Sequence, residues 1–321
     1  MCHICVGGLH GKEQRVKALS ECSKSVVNSV SLSRNLPVFL GFFEIIRVVI
    51  IKIKSYAPIL IFLIGASIFL YPSIANKYAL HVQSKVIHTY TATMNEKSKE
   101  EIKQIWKQAV EYNDNLAGDP VHDPFVLNSG YVLPENYLHT LNILEDGVMA
   151  YIEIPKIHVN LPIYHGVSED VLAKGAGHIE GTSLPIGGKN RHSIICAHRG
   201  LPSAELFSKL NELKKNDLFL IHVLNRTLAY KIDQVETVLP DHINIYMMLE
   251  KDKDLVTLMT CTPYGVNTHR LLVRGERYDY IPEGKEIVQE KKGSMKIYFL
   301  FGTIIFLGIS IFIRSHLRRN L

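Results

Sequence analysis

A cysteine and an arginine lie nine residues apart, on either side of a short loop-forming segment. Residues 255–260 are apolar and β-branched, which indicates a strand with Cys261 at its end. A Thr-Pro-Tyr-Gly sequence follows and predicts a tight loop, because proline cannot extend a β-ladder and glycine permits unusual backbone angles. Residues 271–274 predict a second strand. A connection this short makes the strands antiparallel neighbours, which brings the Cys261 thiol and the Arg270 guanidinium to one end of a hairpin.

Strand geometry distinguishes Arg270 from two other arginines nearby. Arg274 has the same side-chain parity but lies about 13 Å further along the strand, and Arg277 has the opposite parity and should face away. We therefore expect Arg270 to lie beside the thiol. A neighbouring cation favours the thiolate and can stabilise an oxyanion, which predicts nucleophilic catalysis. The alternative is a cysteine buried in the core at the end of a strand, and the pattern alone does not exclude it.

A cysteine nucleophile needs a proton carrier, for which histidine is the usual side chain. Residues 193–197 predict an apolar strand, and His198 follows at the junction with the loop sequence R-G-L-P. His198 is therefore placed to project into a cleft, although a lone histidine at such a junction can also be structural. His178, His192 and His269 compete for the same role, and His178, which follows a glycine in a predicted loop, ranks second.

Two strings in the sequence resemble the active-site motifs of sortases, the cysteine transpeptidases of Gram-positive bacteria. T-L-M-T-C, ending at Cys261 and followed nine positions later by arginine, is similar to the sortase signature, and T-C-T-P-Y-G-V-N-T-H-R-L-L-V-R-G-E-R resembles the class C, pilus-building branch. A-H-R-G-L-P resembles the sortase catalytic-histidine motif, in which glycine or serine usually replaces Ala197. The resemblance spans residues 96–280 and implies Cys261 as nucleophile, His198 as general acid and base, and Arg270 as the stabiliser of the oxyanion or substrate.

The segment from residue 116 to residue 131 lacks hydrophobic periodicity and contains two Asp-Pro pairs. Composition alone indicates an ordinary surface loop. The class C resemblance instead implies an active-site lid formed by Asp123, Pro124 and Phe125, since these sortases carry an Asp-Pro-aromatic motif upstream of the first barrel strand. A carboxylate near the arginine would gain charge-assisted hydrogen bonds, and the aromatic ring would shield them from water.

Short alternating strands with few helices predict an all-β fold that closes into a barrel. The resemblance implies an eight-stranded sortase barrel with short inserted helices, here over residues 140–281, preceded by a helix and lid over residues 95–135. An apolar stripe at helical spacing supports that helix over residues 95–113. A second stripe predicts a helix that Ser203 caps and that runs to Leu213.

Composition excludes some other classes of function. The formal net charge is +5 and the basic residues are scattered, so no nucleic-acid partner is expected. Of the five cysteines, only Cys196 and Cys261 lie in the central domain, and Cys196, inside a predicted strand, is expected to be a packed core residue. Cys2 and Cys5 have C-x-x-C spacing but lack further ligands at a known spacing. We expect no metal and no cofactor.

Two apolar segments predict membrane helices, over residues 57–74 and 297–313. More basic residues precede the first span than follow it, which favours a cytoplasmic N-terminus. Two spans then place both termini in the cytoplasm and the catalytic domain outside the cell membrane. Residues 1–56 form a poorly defined N-terminal extension, residues 282–296 a charged stalk, and residues 314–321 a basic tail.

The resemblance implies a definite reaction. The enzyme would cleave an L-P-x-T-G-like sorting signal of a pilin between threonine and glycine and join the acyl group to a lysine amine of another pilin, with lipid II as a further candidate acceptor. A housekeeping sortase, which attaches surface proteins to peptidoglycan precursor, is the first alternative. A cysteine peptidase or wall amidase, and a membrane-tethered binding domain without activity, are the others.

Overall fold

The computed structural model describes residues 60–116 and 136–279, together with Arg47, Tyr56 and Ala57. Several predicted features lie outside these residues. They are most of the N-terminal extension, the lid residues Asp123, Pro124 and Phe125, the charged stalk, the second apolar segment and the basic tail.

The first described element is helix α1, Leu60–Glu96. Its most apolar stretch has a mean hydropathy of 1.5, and none of that stretch is buried in the protein. The described residues contain one helix that is long and apolar enough to cross a membrane, and it is α1. The predicted span forms its first part. The second part is different, because Gln83, Ile87, Tyr90 and Met94 are buried against the rest of the protein.

Helix α2, Lys99–Asp114, corresponds to the helix predicted over residues 95–113. It begins later than predicted because Ser98 caps it, in a capping box with Glu101 in which each side chain accepts a hydrogen bond from the other residue's backbone. At the other end, the side chain of Asn113 exchanges two hydrogen bonds with the backbone of Leu184. Because these bonds join distant parts of the chain, they fix α2 to the barrel.

Eight strands form a closed barrel, which confirms the predicted fold. Their order around the barrel is β1-β2-β3-β4-β7-β8-β6-β5, and β5 pairs with β1 to close it. The pairs β2–β3 and β4–β7 are parallel, and the others are antiparallel. The strands are β1 Val148–Ile154, β2 Val159–His165, β3 Ala176–His178, β4 Arg191–Cys196, β5 Leu218–Val223, β6 Arg226–Val238, β7 Asp254–Thr262 and β8 His269–Tyr278.

Two of the connections carry one-turn helices, α3 Glu169–Leu172 and α4 Ile243–Tyr246. The helix predicted to start at Ser203 is wrong, because that stretch consists of turns and one short 3-10 helix, Leu210–Glu212. Its apolar side chains are nevertheless buried, namely Leu206, Phe207, Leu210 and Leu213. The spacing therefore identified the buried residues correctly but not the conformation of the backbone. The backbone turns at Leu206, where φ is 41°.

Side chains along β7 alternate between two apolar clusters, as the period of a strand requires. Val256 and Leu258 belong to the large core that fills the barrel. Met259 belongs to a smaller cluster on the outer face, where it packs with residues of β4, β8 and the segment that joins β6 to β7. Cys261 has the parity of Met259 and so lies on the outer face.

Candidate active site

Cys261 and Arg270 are directly paired across the antiparallel strands β7 and β8. Paired residues project to the same face of a sheet, with their Cβ atoms about 5 Å apart. Both residues are almost buried, with 7% of Cys261 and 4% of Arg270 exposed. The local hairpin therefore sets a thiol beside a guanidinium at the end of the barrel's outer face.

His198 reaches the same place through a different strand pair. In the parallel pair β4–β7, Cys196 is in register with Met259, and Met259 is paired with Leu272 across β8. These three side chains pack together in the outer cluster. His198, Cys261 and Arg270 each lie two residues from one of these three side chains, in the same direction across the sheet.

Hydrogen bonds extend this register beyond the end of β4. The backbone N–H of Ala197 donates to the carbonyl of Met259 at 3.2 Å, and the Thr260 hydroxyl donates to the carbonyl of Ala197 at 2.7 Å. Thr260 and Ala197 are both buried in the barrel. Their neighbours His198 and Cys261 therefore follow on as adjacent residues at the outer end of the two strands.

The guanidinium of Arg270 is oriented by two backbone carbonyls at the point where the β7–β8 loop meets β8. Its Nη1 donates to the carbonyl oxygens of Asn267 and His269, at 3.1 and 3.2 Å. Arg274 lies four residues along the same strand and instead pairs with Asp233 and Glu250. Only Arg270, among these arginines of β8, is in register with the cysteine.

Arg199 joins the ends of strands β4 and β7, and no sequence pattern had assigned a role to this residue. Its Nη1 donates to the hydroxyl of Thr262 at 2.9 Å, its Nε to the carbonyl of Ser208 at 3.2 Å, and its Nη2 to Asn211 Oδ1 at 2.9 Å. Arg199 follows His198 and Thr262 follows Cys261 in the chain. The Arg199–Thr262 bond therefore fixes the separation of the two strand ends that carry the histidine and the cysteine.

The imidazole of His198 faces one carboxylate from another element. Its Nε2 lies 3.6 Å from Oε2 of Glu169, at the start of α3. The Glu169 side chain is 91% exposed, so solvent screens this contact and its contribution to stability is small.

Known proteins resemble this chain in sequence and in fold. The family model of the sortase domain matches residues 152–278. A solved sortase C of Streptococcus pneumoniae is 43% identical, with a TM-score of 0.56, and the match covers 61% of this chain and 97% of that one. Sortase C-1 of Actinomyces oris is 45% identical, with a TM-score of 0.54, over 56% of this chain and 99% of that one.

The chain belongs to the sortase family. Solved structures among its relatives are sortases of class C, as the sequence strings predicted. Sortase A of Streptococcus agalactiae serotype III is 30% identical over 132 residues, which are 40% of this chain and 52% of that protein. The matched part of this sortase thus spans about half the length of that relative. Sortases are transpeptidases of the cell surface.

His178, the second-ranked histidine, lies on the other face of the barrel wall. It pairs with Ile195, whose side chain belongs to the barrel core, and it is fully buried. Nδ1 lies 2.9 Å from the Tyr137 hydroxyl, and Nε2 lies 2.9 Å from the carbonyl of Ser183. Burial lowers the pKa of His178 to about 3. A neutral, enclosed histidine of this kind has a structural role.

The other two histidines are also held away from the thiol. His192 is buried on β4, with Nε2 2.7 Å from the hydroxyl of Thr257 and Nδ1 3.1 Å from the carbonyl of Met248, and burial lowers its pKa. His269 pairs with Thr262 rather than with Cys261, and its Nδ1 lies 2.9 Å from the Thr268 hydroxyl. Because His269 is the immediate neighbour of Arg270 on an extended strand, its side chain projects to the opposite face.

Cys196, the competing thiol, is a core residue as predicted. It is fully buried in the outer cluster, and its Sγ lies 3.5 Å from the carbonyl of Gly177. Within the described part of the chain, no group of three or more histidine, cysteine or acidic side chains could hold a metal ion. Neither cysteine of this part forms a disulfide.

Proposed function

We propose that this sortase is a membrane-anchored cysteine transpeptidase that polymerises pilins. It cleaves an L-P-x-T-G-like signal of one pilin between threonine and glycine, and it joins the threonine acyl group to a lysine amine of the next. One observation supports this proposal above the others. Cys261 and Arg270 are paired across β7 and β8, and the β4–β7 register brings His198 to the same end of the outer face.

In the first half-reaction, the Sγ of Cys261 attacks the carbonyl carbon of the threonine. The bond to the glycine nitrogen breaks, and His198 donates a proton to the departing amine. The products are a thioester on Cys261 and a free glycine amine.

In the second half-reaction, a lysine amine of another pilin attacks the thioester. His198 accepts a proton from this amine, the C–N bond forms, and the Cys261 thiolate departs. The products are an isopeptide bond and the regenerated enzyme. Lipid II, which also carries an amine, is a candidate second acceptor.

Arg270 supplies the positive charge for both steps. Its guanidinium is almost buried and is held by two backbone carbonyls, so it does not have to reorganise when negative charge develops on the substrate oxygen. The same charge favours the thiolate of Cys261. We assign Arg270 to the oxyanion or to the adjacent substrate carbonyl.

The substrate class rests on the solved relatives. The structure of the Streptococcus pneumoniae sortase C gave insight into its specificity for pilin substrates. A sortase C of group B Streptococcus is pilus-related. At 43% identity to each, the described domain is expected to share this class of substrate. The Asp123-Pro124-Phe125 sequence supports the same assignment, because we propose that it forms the class C lid.

Anchoring is proposed from both apolar segments. Helix α1 is long and apolar enough to cross a bilayer, and residues 297–313 form the second predicted span. Two spans with a cytoplasmic N-terminus place both termini inside and the barrel outside the cell membrane.

A housekeeping activity is the second candidate, because this sortase is also 30% identical to a sortase A. The test is to incubate the full chain with pilins and, separately, with lipid II and to identify the products by mass spectrometry. Our proposal expects a thioester on Cys261 and a pilin–lysine isopeptide bond. Transfer to lipid II alone would support the housekeeping reading. Release of a free acid despite added amine would indicate a peptidase.

Cys261→Ala is the control for that experiment. It should abolish both the thioester and the polymer, whereas Cys196→Ala, which changes a core thiol, should leave the thioester in the folded fraction. Polymer formation by Cys261→Ala would refute the assignment of the nucleophile.

A further inference from the structure

Helix α1 holds the barrel at a fixed height above its apolar part. The helix is continuous from Leu60 to Glu96, and at 1.5 Å per residue it is about 55 Å long. No charged residue lies between Lys54 and Lys77. The large apolar side chains up to Ile74 are exposed, whereas Tyr90 and Met94, further along, are buried against the barrel domain. The apolar part and the docking part thus belong to one continuous helix.

The first hydrogen bond from α1 to the barrel domain lies just beyond the apolar part. Oδ1 of Asn76 accepts a hydrogen bond from the backbone N–H of Glu205 at 2.8 Å. Asn76 is two residues after Ile74, which corresponds to about 3 Å along the helix axis. The segment around Glu205 therefore lies at the end of the membrane span.

That segment is the loop that follows His198. The N–H of Phe207 donates to the carbonyl of His198 at 3.1 Å, and Nε of Arg199 donates to the carbonyl of Ser208 at 3.2 Å. The residues that flank the histidine are therefore hydrogen-bonded to the segment that docks at Asn76. The candidate active site is connected to the membrane end of α1 through this loop.

Other contacts between α1 and the barrel domain lie further from the apolar part of the helix, and their distances from it can be compared. Gln83 donates to the carbonyl of Lys174 at 3.1 Å, and the Tyr90 hydroxyl accepts a hydrogen bond from the N–H of Leu224 at 2.8 Å. These positions are about 14 Å and about 24 Å beyond Ile74 along the helix. The β5–β6 turn at Leu224 is therefore far from the span, and the His198 loop is close to it.

Two exposed tyrosines support a boundary between hydrocarbon and headgroups near Asn76. Tyr71 and Tyr78 lie on either side of Asn76, with 57% and 71% of each residue exposed. Tyrosine is enriched where a membrane helix passes from hydrocarbon to headgroups, because its ring is apolar and its hydroxyl is polar.

We propose that the loop that follows His198 rests on the lipid headgroup layer, so that the candidate active site lies at the membrane surface. The partner is a bilayer surface, which this loop contacts. This inference rests on the proposed anchoring by α1.

Fluorescence quenching at three positions tests the proposal. Single cysteines replace Ser203 in the His198 loop, Lys174 at middle height and Asn225 in the β5–β6 turn. The full chain is used with Cys2, Cys5 and Cys22 changed to serine and Cys261 to alanine, while the fully buried Cys196 remains. A dye is attached to each introduced thiol, and the protein is reconstituted into phosphatidylcholine–phosphatidylglycerol vesicles that carry a spin label on the headgroup.

We expect the greatest loss of fluorescence at Ser203→Cys, an intermediate loss at Lys174→Cys and the smallest at Asn225→Cys. Equal losses at the three positions, or the reverse order, would overturn the inference. Flotation of the same vesicles separates it from the anchoring proposal: a chain that does not float refutes the anchoring and this inference with it. A chain that floats without the expected order refutes this inference alone, and thioester formation by the unmodified chain tests the proposed chemistry independently.

Discussion

Cys261 and Arg270 face each other across adjacent antiparallel strands, with less than a tenth of either residue exposed. The pairing is local, since a short loop joins the two strands. Because both residues are almost buried, little solvent screens the positive charge of Arg270. The charge therefore acts more strongly on the Cys261 thiol. The arrangement leads to a first prediction about Arg270.

Replacing Arg270 with alanine should reduce kcat/KM for thioester formation by about 100-fold or more, because the developing oxyanion loses a preorganised donor. The matched control is Arg277→Ala on the same strand. The Arg277 guanidinium lies over the Tyr230 ring, at 5.7 Å from its centroid, and its parity turns it away from the thiol. Arg277→Ala should keep nearly full activity. Equal losses in the two variants would contradict the role of Arg270.

Arg199 should act as a positioning residue through Thr262. Removing either partner of the bond between them loosens the strand ends that carry His198 and Cys261, so we expect kcat to fall while KM changes little. A double-mutant cycle of Arg199→Ala and Thr262→Val measures the coupling in kcat, which should be about 0.5 kcal/mol or more.

Two controls separate this role from general destabilisation. Asn211→Ala removes another hydrogen bond of Arg199 without touching the strand that carries the cysteine, so it should affect kcat less than Thr262→Val does. Arg199→Lys keeps the charge and one donor, and it should recover part of the lost kcat. Additive effects in the cycle would show that the bond does not position the site.

His178 should make stability depend on pH. Its pKa falls from 6.5 to about 3 on folding because it is buried. Between these values the unfolded chain binds a proton that the folded chain does not, so the free energy of unfolding decreases by about 1.4 kcal/mol for each unit that the pH falls. Near neutral pH the histidine is neutral in both states, and the effect vanishes.

The measurement compares the unmodified chain with His178→Asn by urea unfolding at several acidic pH values. Fluorescence of Trp106, the single tryptophan, reports the transition because Arg226 of β6 lies over its ring. The variant should show a shallower pH slope, by about one proton, even if it is less stable at every pH. The other buried histidines stay in place in both proteins, so identical slopes would contradict the prediction.

The lid remains a prediction from sequence resemblance. Replacing Asp123 with alanine should increase the rate at which iodoacetamide alkylates Cys261, because the proposed lid then covers the thiol less often. Asp119 offers a matched control, since it also precedes a proline in the same segment. Asp119→Ala should leave the alkylation rate nearly unchanged, and equal rates in both variants would count against a lid at Asp123.

The sequence determined the parts of this sortase that depend on neighbouring residues. Strand period and a short loop were enough to pair Cys261 with Arg270 and to assign Cys196 to the core. The apolar stripe from residue 203 to residue 213 identified the right buried side chains, but it predicted a helix because spacing does not show the hydrogen bonds with which Arg199 and Gly200 hold Ser208.

Tertiary structure decided what depends on distant residues. The parallel pairing of β4 with β7 brings His198 to Cys261, the side chain of Arg199 reaches Thr262, and the β3–β4 pairing turns His178 into the core. Helix α1 also continues well past the predicted end of its apolar part and docks beside the His198 loop. Residues this far apart in the chain meet only when the barrel closes, because local patterns of polarity set which face a residue takes but not which strand becomes its neighbour.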